Sequence, residues 1–232
     1  MSDGRRHFHE ELALLQERLV EMAGKVEALV ADAVEALRAR DPERALDIKA
    51  RDDEVDAIEL EIDDRVIELL ALQQPMAVDL RQIVTTQKVS NDLERVGDHA
   101  VSIAKSAYRL SDMLPFPEPR ELHEMATIAR GMLADALAAY VSRDAASARA
   151  VCTRDDLVDD LQASMFRVLL THMAEDPKLI SPALEFLRAG QNLERIADLS
   201  TNISEDVVFL VEGHSIKHHA EERRERRAQT GA

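Results

Sequence analysis

The chain has 232 residues, enough for one or two domains of roughly 150 residues each and for a continuous core. Hydrophobic residues make up 46% and charged residues 32%, which excludes a disordered chain and a membrane-embedded one. With 45 acidic and 29 basic residues the formal net charge is −16, a field that repels phosphate backbones, argues against a nucleic-acid partner and attracts cations.

The first predicted helix carries Leu12, Leu15, Leu19, Met22, Val26, Leu29, Ala33 and Leu37, spaced by threes and fours along one apolar stripe. It ends near Arg40. Asp41-Pro42 then reads as an N-cap followed by Pro at the first helical position. A second helix carries Ala45, Ile48, Val55, Ile58, Ile62, Val66 and Leu69, and Pro75 ends it. A third runs from about Met76 to Met113. The linker Pro115-Phe116-Pro117-Glu118-Pro119 follows. A fourth helix is predicted from Glu118 to Val141, and a fifth from Asp144 to Asp176-Pro177. A sixth runs from Ser181 to Glu212, with Gly213 as its C-cap. The tail from His214 to Ala232 is polar and is expected outside the core; its charge run Glu221 to Arg227 reads as a solvated helix or as disorder.

Aromatic residues are only 3% and Trp is absent, so Leu, Ala, Val and Ile fill the core, a composition suited to helix-on-helix packing. Rods of about 30 residues, about 45 Å long, joined by short loops, pack as up-down bundles. Cys152 is the only cysteine, so no internal disulfide and no Cys-based zinc site is expected, which fits a reducing compartment. The segment Met1 to Glu10 lacks the apolar region of a signal peptide. The longest stretch free of Asp, Glu, Lys and Arg, from Leu69 to Val78, falls short of the about 20 residues of a membrane span. The expected location is cytoplasmic.

The chain repeats itself. Asn91-Asp92-Leu93-Glu94-Arg95-Val96-Gly97-Asp98 matches Gln191-Asn192-Leu193-Glu194-Arg195-Ile196-Ala197-Asp198 at an offset of 100. Arg51-Asp52-Asp53-Glu54-Val55-Asp56 matches Arg154-Asp155-Asp156-Leu157-Val158-Asp159 at an offset of 103, and Arg40-Asp41 matches Arg143-Asp144 at the same offset. Matches in order on corresponding helices indicate a duplicated three-helix unit. The expected fold is all-α, two tandem antiparallel three-helix bundles covering residues 1–114 and 115–213, with the tail from 214 to 232.

Asp52, Asp56, Glu59 and Asp63 fall within roughly 60° of one another on a helix, beside the apolar stripe. Glu94 and Asp98 lie one turn apart on the next helix. The second half offers Asp155, Asp159, Glu194 and Asp198. Facing acid rows repel. Either carboxylate-bound divalent cations or the neighbouring Arg51, Arg95, Arg154 and Arg195 compensate. No Glu-x-x-His pair occurs, which argues against a ferritin-like di-iron site, and no Gly-rich phosphate loop or nucleophile with its base is present. His218-His219 in the tail carries little weight as a metal site.

The stretch Gln74-Pro75-Met76-Ala77-Val78-Asp79-Leu80-Arg81, with Asn91-Asp92-Leu93-Glu94-Arg95-Val96-Gly97-Asp98-His99-Ala100, resembles the first signature of the PhoU family. The stretch from Asn192 through Asp198 and Asn202-Ile203 to Val211-Glu212-Gly213 resembles the second. Together they extend the resemblance from about His9 to Gly213. It implies a non-enzymatic, cytoplasmic negative regulator of phosphate uptake and of the phosphate-starvation response. Such a protein connects the phosphate ABC transporter ATPase to a sensor histidine kinase, reaches the membrane only through these partners, and forms a homodimer. It also implies metal binding through E(D)xxxD motifs, by Mg, Mn, Zn or Fe. Carried over by residue, the first site uses Asp52, Asp56, Glu59, Glu94 and Asp98, and the second uses Asp155, Asp159, Glu194 and Asp198. This sequence departs from the pattern at Gln162, which stands where Glu59 stands in the first half. Ala197 replaces Gly97, and Leu199 stands where His99, a candidate helper of the first site, stands. The alternative reading is a carboxylate-bridged metal store or metalloenzyme. A third is a structural scaffold whose acids are neutralised by arginine.

Overall fold

In the computed structural model, residues 2–73 and 75–217 are described. Gln74 of the first signature, the histidine pair and the charge run of the tail lie outside these residues. The helices are α1 (Ser2–Ala39), α2 (Pro42–Gln73), α3 (Val78–Ser111), α4 (Arg120–Ser142), α5 (Ala145–Cys152), α6 (Asp155–Glu175) and α7 (Ile180–Glu212). A single 3₁₀ turn, Pro177–Leu179, precedes α7. The first bundle is α1 to α3 and the second is α4 to α7.

Every residue of the two predicted apolar stripes, Leu12 to Leu37 and Ala45 to Leu69, is buried. The 3.6-residue period therefore orients α1 and α2 by itself: each stripe leaves water against the other helices of its bundle. The Arg40-Asp41 repeat is a repeated turn. Arg40 and Arg143 both adopt left-handed backbone, φ 51° and 53°. The following amides, of Asp41 and Asp144, return to the carbonyls of Ala36 and Ala139, both at 3.0 Å. Each Asp then caps the next helix. Asp41 Oδ1 accepts from the amides of Glu43 and Arg44, and Asp144 Oδ1 from those of Ala146 and Ser147. Gly213, at φ 78°, ends α7 as its C-cap.

The fifth predicted helix differs: it breaks into α5 and α6 at Thr153-Arg154. The equivalent residues Ala50-Arg51 run unbroken through α2. At the break, the Thr153 hydroxyl donates to the Ala150 carbonyl at 2.8 Å and the Cys152 thiol to that of Ala148 at 3.5 Å. The Arg154 amide forms a tight turn to the Val151 carbonyl at 3.0 Å. Side chains that bond nearby carbonyls compete with the helix ladder, and β-branched Thr is a weaker helix former than the Ala it replaces.

The central helices α3 and α7 pack antiparallel across the two halves. His99 faces Asn192 (2.9 Å), Arg109 faces Glu185 (3.3 Å) and Lys88 faces Asp206 (3.3 Å). Further specific contacts join the start of α3 to the end of α4: the Thr86 and Tyr140 hydroxyls lie 2.7 Å apart, and Arg143 donates to Gln82 Oε1 at 2.6 Å. Of the tail expected outside the core, residues 214–217 are described. Ile216 packs partly buried against the core and Lys217 reaches Asp206 at 3.1 Å, because the buried Asp206 carboxylate draws a cation to it.

The linker is anchored rather than loose. Phe116 is buried against Phe186, with ring centroids 5.7 Å apart. Arg40 donates to the carbonyls of Leu114 (3.2 Å) and Phe116 (2.7 Å), and its guanidinium stands 6.0 Å from the Phe186 ring centroid. Arg40→Ala removes charge-assisted bonds to linker carbonyls, so an expected loss of about 2 kcal/mol follows. Denaturant melts measure the loss, and limited proteolysis should cut the linker faster. An unchanged cleavage rate would show that Phe116 alone holds it.

Candidate metal centre

The two helices that carry the first acid cluster are held side by side by the core stripe of α2 against α3. Asp52 is almost fully buried, 3% exposed, and its Oδ1 has no hydrogen-bond partner. Glu59 and Glu94 are half-buried, and Asp56 and Asp98 are exposed. Gly97 makes the burial of Asp52 possible: a Cβ at that position would lie 2.7 Å from Asp52 Oδ1.

The five carboxylates share one electrostatic field. Burial first, then Asp56 and Asp98, pushes the Asp52 carboxyl up to about 6, against an opposing pull from Lys49. Burial and then Asp98 raise Asp56; burial and then Asp63 and Asp56 raise Glu59. Glu94 is raised by burial and then by Asp98, Asp56, Glu59 and Asp52. Rotation along α2 and the packing of α2 against α3 thus place the five residues within electrostatic range of one another. Among the described residues, no Lys or Arg forms an ion pair with any of them. Asn91, with its NH₂ turned to α2, donates to Glu59 Oε1 at 3.2 Å.

The arginines do not neutralise this cluster. Arg51 turns to Asp32 on α1 at 2.7 Å, and Arg95 pairs with Asp92 at 3.4 Å. Arg154 makes the equivalent bond, to Asp135 on α4 at 2.6 Å. Asp32 and Asp135 are themselves 103 residues apart, so the same offset, carried onto the first and fourth helices, already signals this pairing in the sequence. These two arginines are buttresses between helices.

The second cluster is different in kind. Asp155 is half-buried, where its equivalent Asp52 is buried, and Ala197 carries the Cβ that Gly97 lacks. Arg195 lies 3.1 Å from Asp198 and 3.5 Å from Glu194. Arginine compensation therefore operates in the second half and not in the first. Asp155 and Asp198 open onto a cavity of about 350 Å³ between α3 and α7, shared with Arg95, Arg195 and Lys217. His99 lines the same cavity and its Nδ1 meets Asn192 Oδ1 at 2.9 Å, so it faces the second half and is not a helper of the first cluster.

Among the described residues, no three His, Cys, Asp or Glu side chains already converge to grip one ion. The first cluster nonetheless suits a cation chemically. Its donors are all oxygen, and one of them is buried and unpaired, seated against Gly97. Such a donor set fits hard or borderline divalent ions. The second cluster, with arginine already in place, fits one less well.

Residues 19–107 and 122–207 each match the family described as PhoU domain. The chain is 39% identical over 213 residues to a protein of Clostridium acetobutylicum named phosphate-specific transport system accessory protein PhoU homolog, covering 91% of this chain and 97% of the relative. A Caulobacter vibrioides protein of the same name is 39% identical over 212 residues, covering 91% and 92%. The crystal structure of PhoU from Pseudomonas aeruginosa superposes with a TM-score of 0.86 at 37% identity, covering 89% of this chain and all of that one. That of the phosphate transport system regulatory protein PhoU from Streptococcus pneumoniae gives 0.83 at 29% identity, covering 90% and 99%. The duplicated three-helix unit and both family matches coincide, and the chain belongs to the PhoU family.

Proposed function

We propose that the chain is a non-enzymatic regulatory adaptor of phosphate uptake, acting in the cytoplasm between the phosphate ABC transporter ATPase and a sensor histidine kinase. The observation that carries this reading is its likeness, over nine-tenths of its length, to proteins named as accessories of the phosphate-specific transport system. An adaptor needs no reaction of its own. It shifts its partners between states by binding one state better than the other.

The first acid cluster gives the adaptor an adjustable part. Asp52, Asp56, Glu59, Glu94 and Asp98 repel one another across α2 and α3, and a bound divalent ion would remove that repulsion and stiffen the pair. The carboxylate-bridged metal store shares this cluster and is distinguished from the adaptor by phenotype.

The test is alkaline phosphatase activity in phosphate-rich medium, in cells deleted for the gene. Wild type should silence the enzyme, and the variant Glu94→Ala, Asp98→Ala, Glu194→Ala, Asp198→Ala should leave it at the deletion level. A variant that silences as well as wild type would remove metal from the mechanism. A deletion without derepression would sink the regulatory reading itself.

A further inference from the structure

The duplication supplies an internal comparison between two equivalent faces. In the second half, the side of α7 that meets α5 is closed. Glu205 is 5% exposed and Val208 is fully buried, the Cys152 thiol lies over the Thr201 carbonyl at 4.0 Å, and Arg149 ties α5 to Glu212 at 2.6 Å. The short α5, cut free of α6 by the break at Thr153, lies flat on α7 through small residues.

In the first half, α2 runs straight through the equivalent of that break, and the face stays open. Glu205 and Val208 correspond to Lys105 and Tyr108 on α3. Lys105 is exposed and Tyr108 is 47% exposed. Leu46, opposite on α2, is 63% exposed. Between the helices lies a groove of about 380 Å³. Its floor is apolar, Ala45, Val101 and Ala104, and its rim is basic: Lys49, Lys105 and Arg109. Three cations around an apolar floor stand out in a chain of net charge −16. Arg109 is held by Glu185 at 3.3 Å and Lys49 lies 3.9 Å from Asp53. Lys105 forms no ion pair among the described residues.

We propose that this groove docks an acidic, amphipathic helical segment of a partner protein. An apolar face with anchors one turn apart would lie on the floor between Leu46 and Tyr108, and acidic flanks would meet Lys49 and Lys105. This is helix-in-groove recognition, with charge setting orientation and partner choice. An anionic membrane surface fits less well. It is broad and flat, whereas the cations surround a narrow concavity, and the remaining acidic surface would be repelled by it. The inference stands apart from the phosphate reading, because it specifies the chemistry of the partner segment and not its identity.

The test places the photo-cross-linking residue p-benzoylphenylalanine at Tyr108 of the full chain in living cells, followed by sequencing of the captured peptide. The expected product is a segment of another protein with acidic residues flanking an apolar helical face. That segment, synthesised with a fluorescent label, should bind the purified chain, and Lys105→Glu should weaken binding by about tenfold or more while Lys105→Arg preserves it. Circular dichroism checks that both variants keep their helix content. Capture of lipid, of a second copy of this chain or of a segment without acids would overturn the proposal. So would no capture, or an affinity that charge reversal leaves unchanged.

Discussion

Replacing Asp52 with Asn should stabilise the chelator-treated chain at pH 7.5 by about 2 to 3 kcal/mol and change it little at pH 4. In the folded chain the Asp52 carboxyl ionises near 6, against 3.8 for a free one. The folded state therefore holds a proton that the unfolded chain gives up. The contribution of Asp52 to stability is most favourable at low pH, falls as pH rises from about 4 through 6, and carries the full penalty above that. The difference corresponds to about 3 kcal/mol at neutral pH. The causes are burial and the nearby Asp56 and Asp98. Asn keeps the shape and removes the charge. Denaturant melts at the two pH values measure the effect. A variant less stable than wild type at pH 7.5, or one with an equal gain at both, would mean that the carboxylate is satisfied in a way the geometry does not show.

Divalent ion closes this gap. An ion at 100 times its dissociation constant adds about 2.7 kcal/mol to whichever chain binds it. Wild type should gain this in Mn²⁺ or Mg²⁺, and Asp52→Asn, lacking the buried donor, should gain little. A stability penalty that a ligand relieves is how a regulatory site differs from a structural one, and on the proposed reading ion occupancy would change the rigidity of α2 and α3.

The parts of this arrangement differ in how plainly the sequence announces them. The α1 and α2 stripes are local: Leu15, Leu19, Met22 and Val26 need only the helical period to declare a buried face. The acid row is local too, since rotation along a helix aligns Asp52, Asp56 and Glu59. The choice of arginine partner is not. Arg51 sits next to Asp52 in sequence, yet its guanidinium reaches Asp32 on another helix. Adjacent residues on a helix point about 100° apart, so sequence neighbours rarely pair. The role of Gly97 is equally hidden, because it concerns a side chain on α2 that only tertiary packing brings within 2.7 Å of the missing Cβ. The α5 break is hidden in the sequence for a different reason. Pro and Gly mark most breaks, and this one rests on a hydroxyl and a thiol bonding backbone carbonyls within one turn.

The same contrast between satisfied and unsatisfied buried charge governs one end of the α3–α7 interface. Asp206 is 1% exposed and is held by Lys88 from α3 at 3.3 Å and by Lys217 at 3.1 Å. Removing both partners, Lys88→Met with Lys217→Met, strands a buried carboxylate at an expected loss of about 3 to 5 kcal/mol. For a chain of this size that lowers the melting temperature by on the order of 10 °C. Either single change should cost less, because the other lysine remains. The loss should also grow with pH. Asp92 nearby is pushed up to about 6 by burial and then by Asp206, while Lys217 pulls it down. Without Lys217, Asp92 keeps Arg95 but loses the larger of the cationic pulls that hold it down, so its carboxyl rises further and the double variant should suffer more at pH 8 than at pH 5. Adding Asp206→Asn should restore most of the loss, since the amide leaves no charge to compensate. Lost lysine packing, including that of Lys88 over the Phe209 ring, predicts instead that the triple variant stays as unstable as the double, and a denaturant melt at pH 8 separates the two accounts.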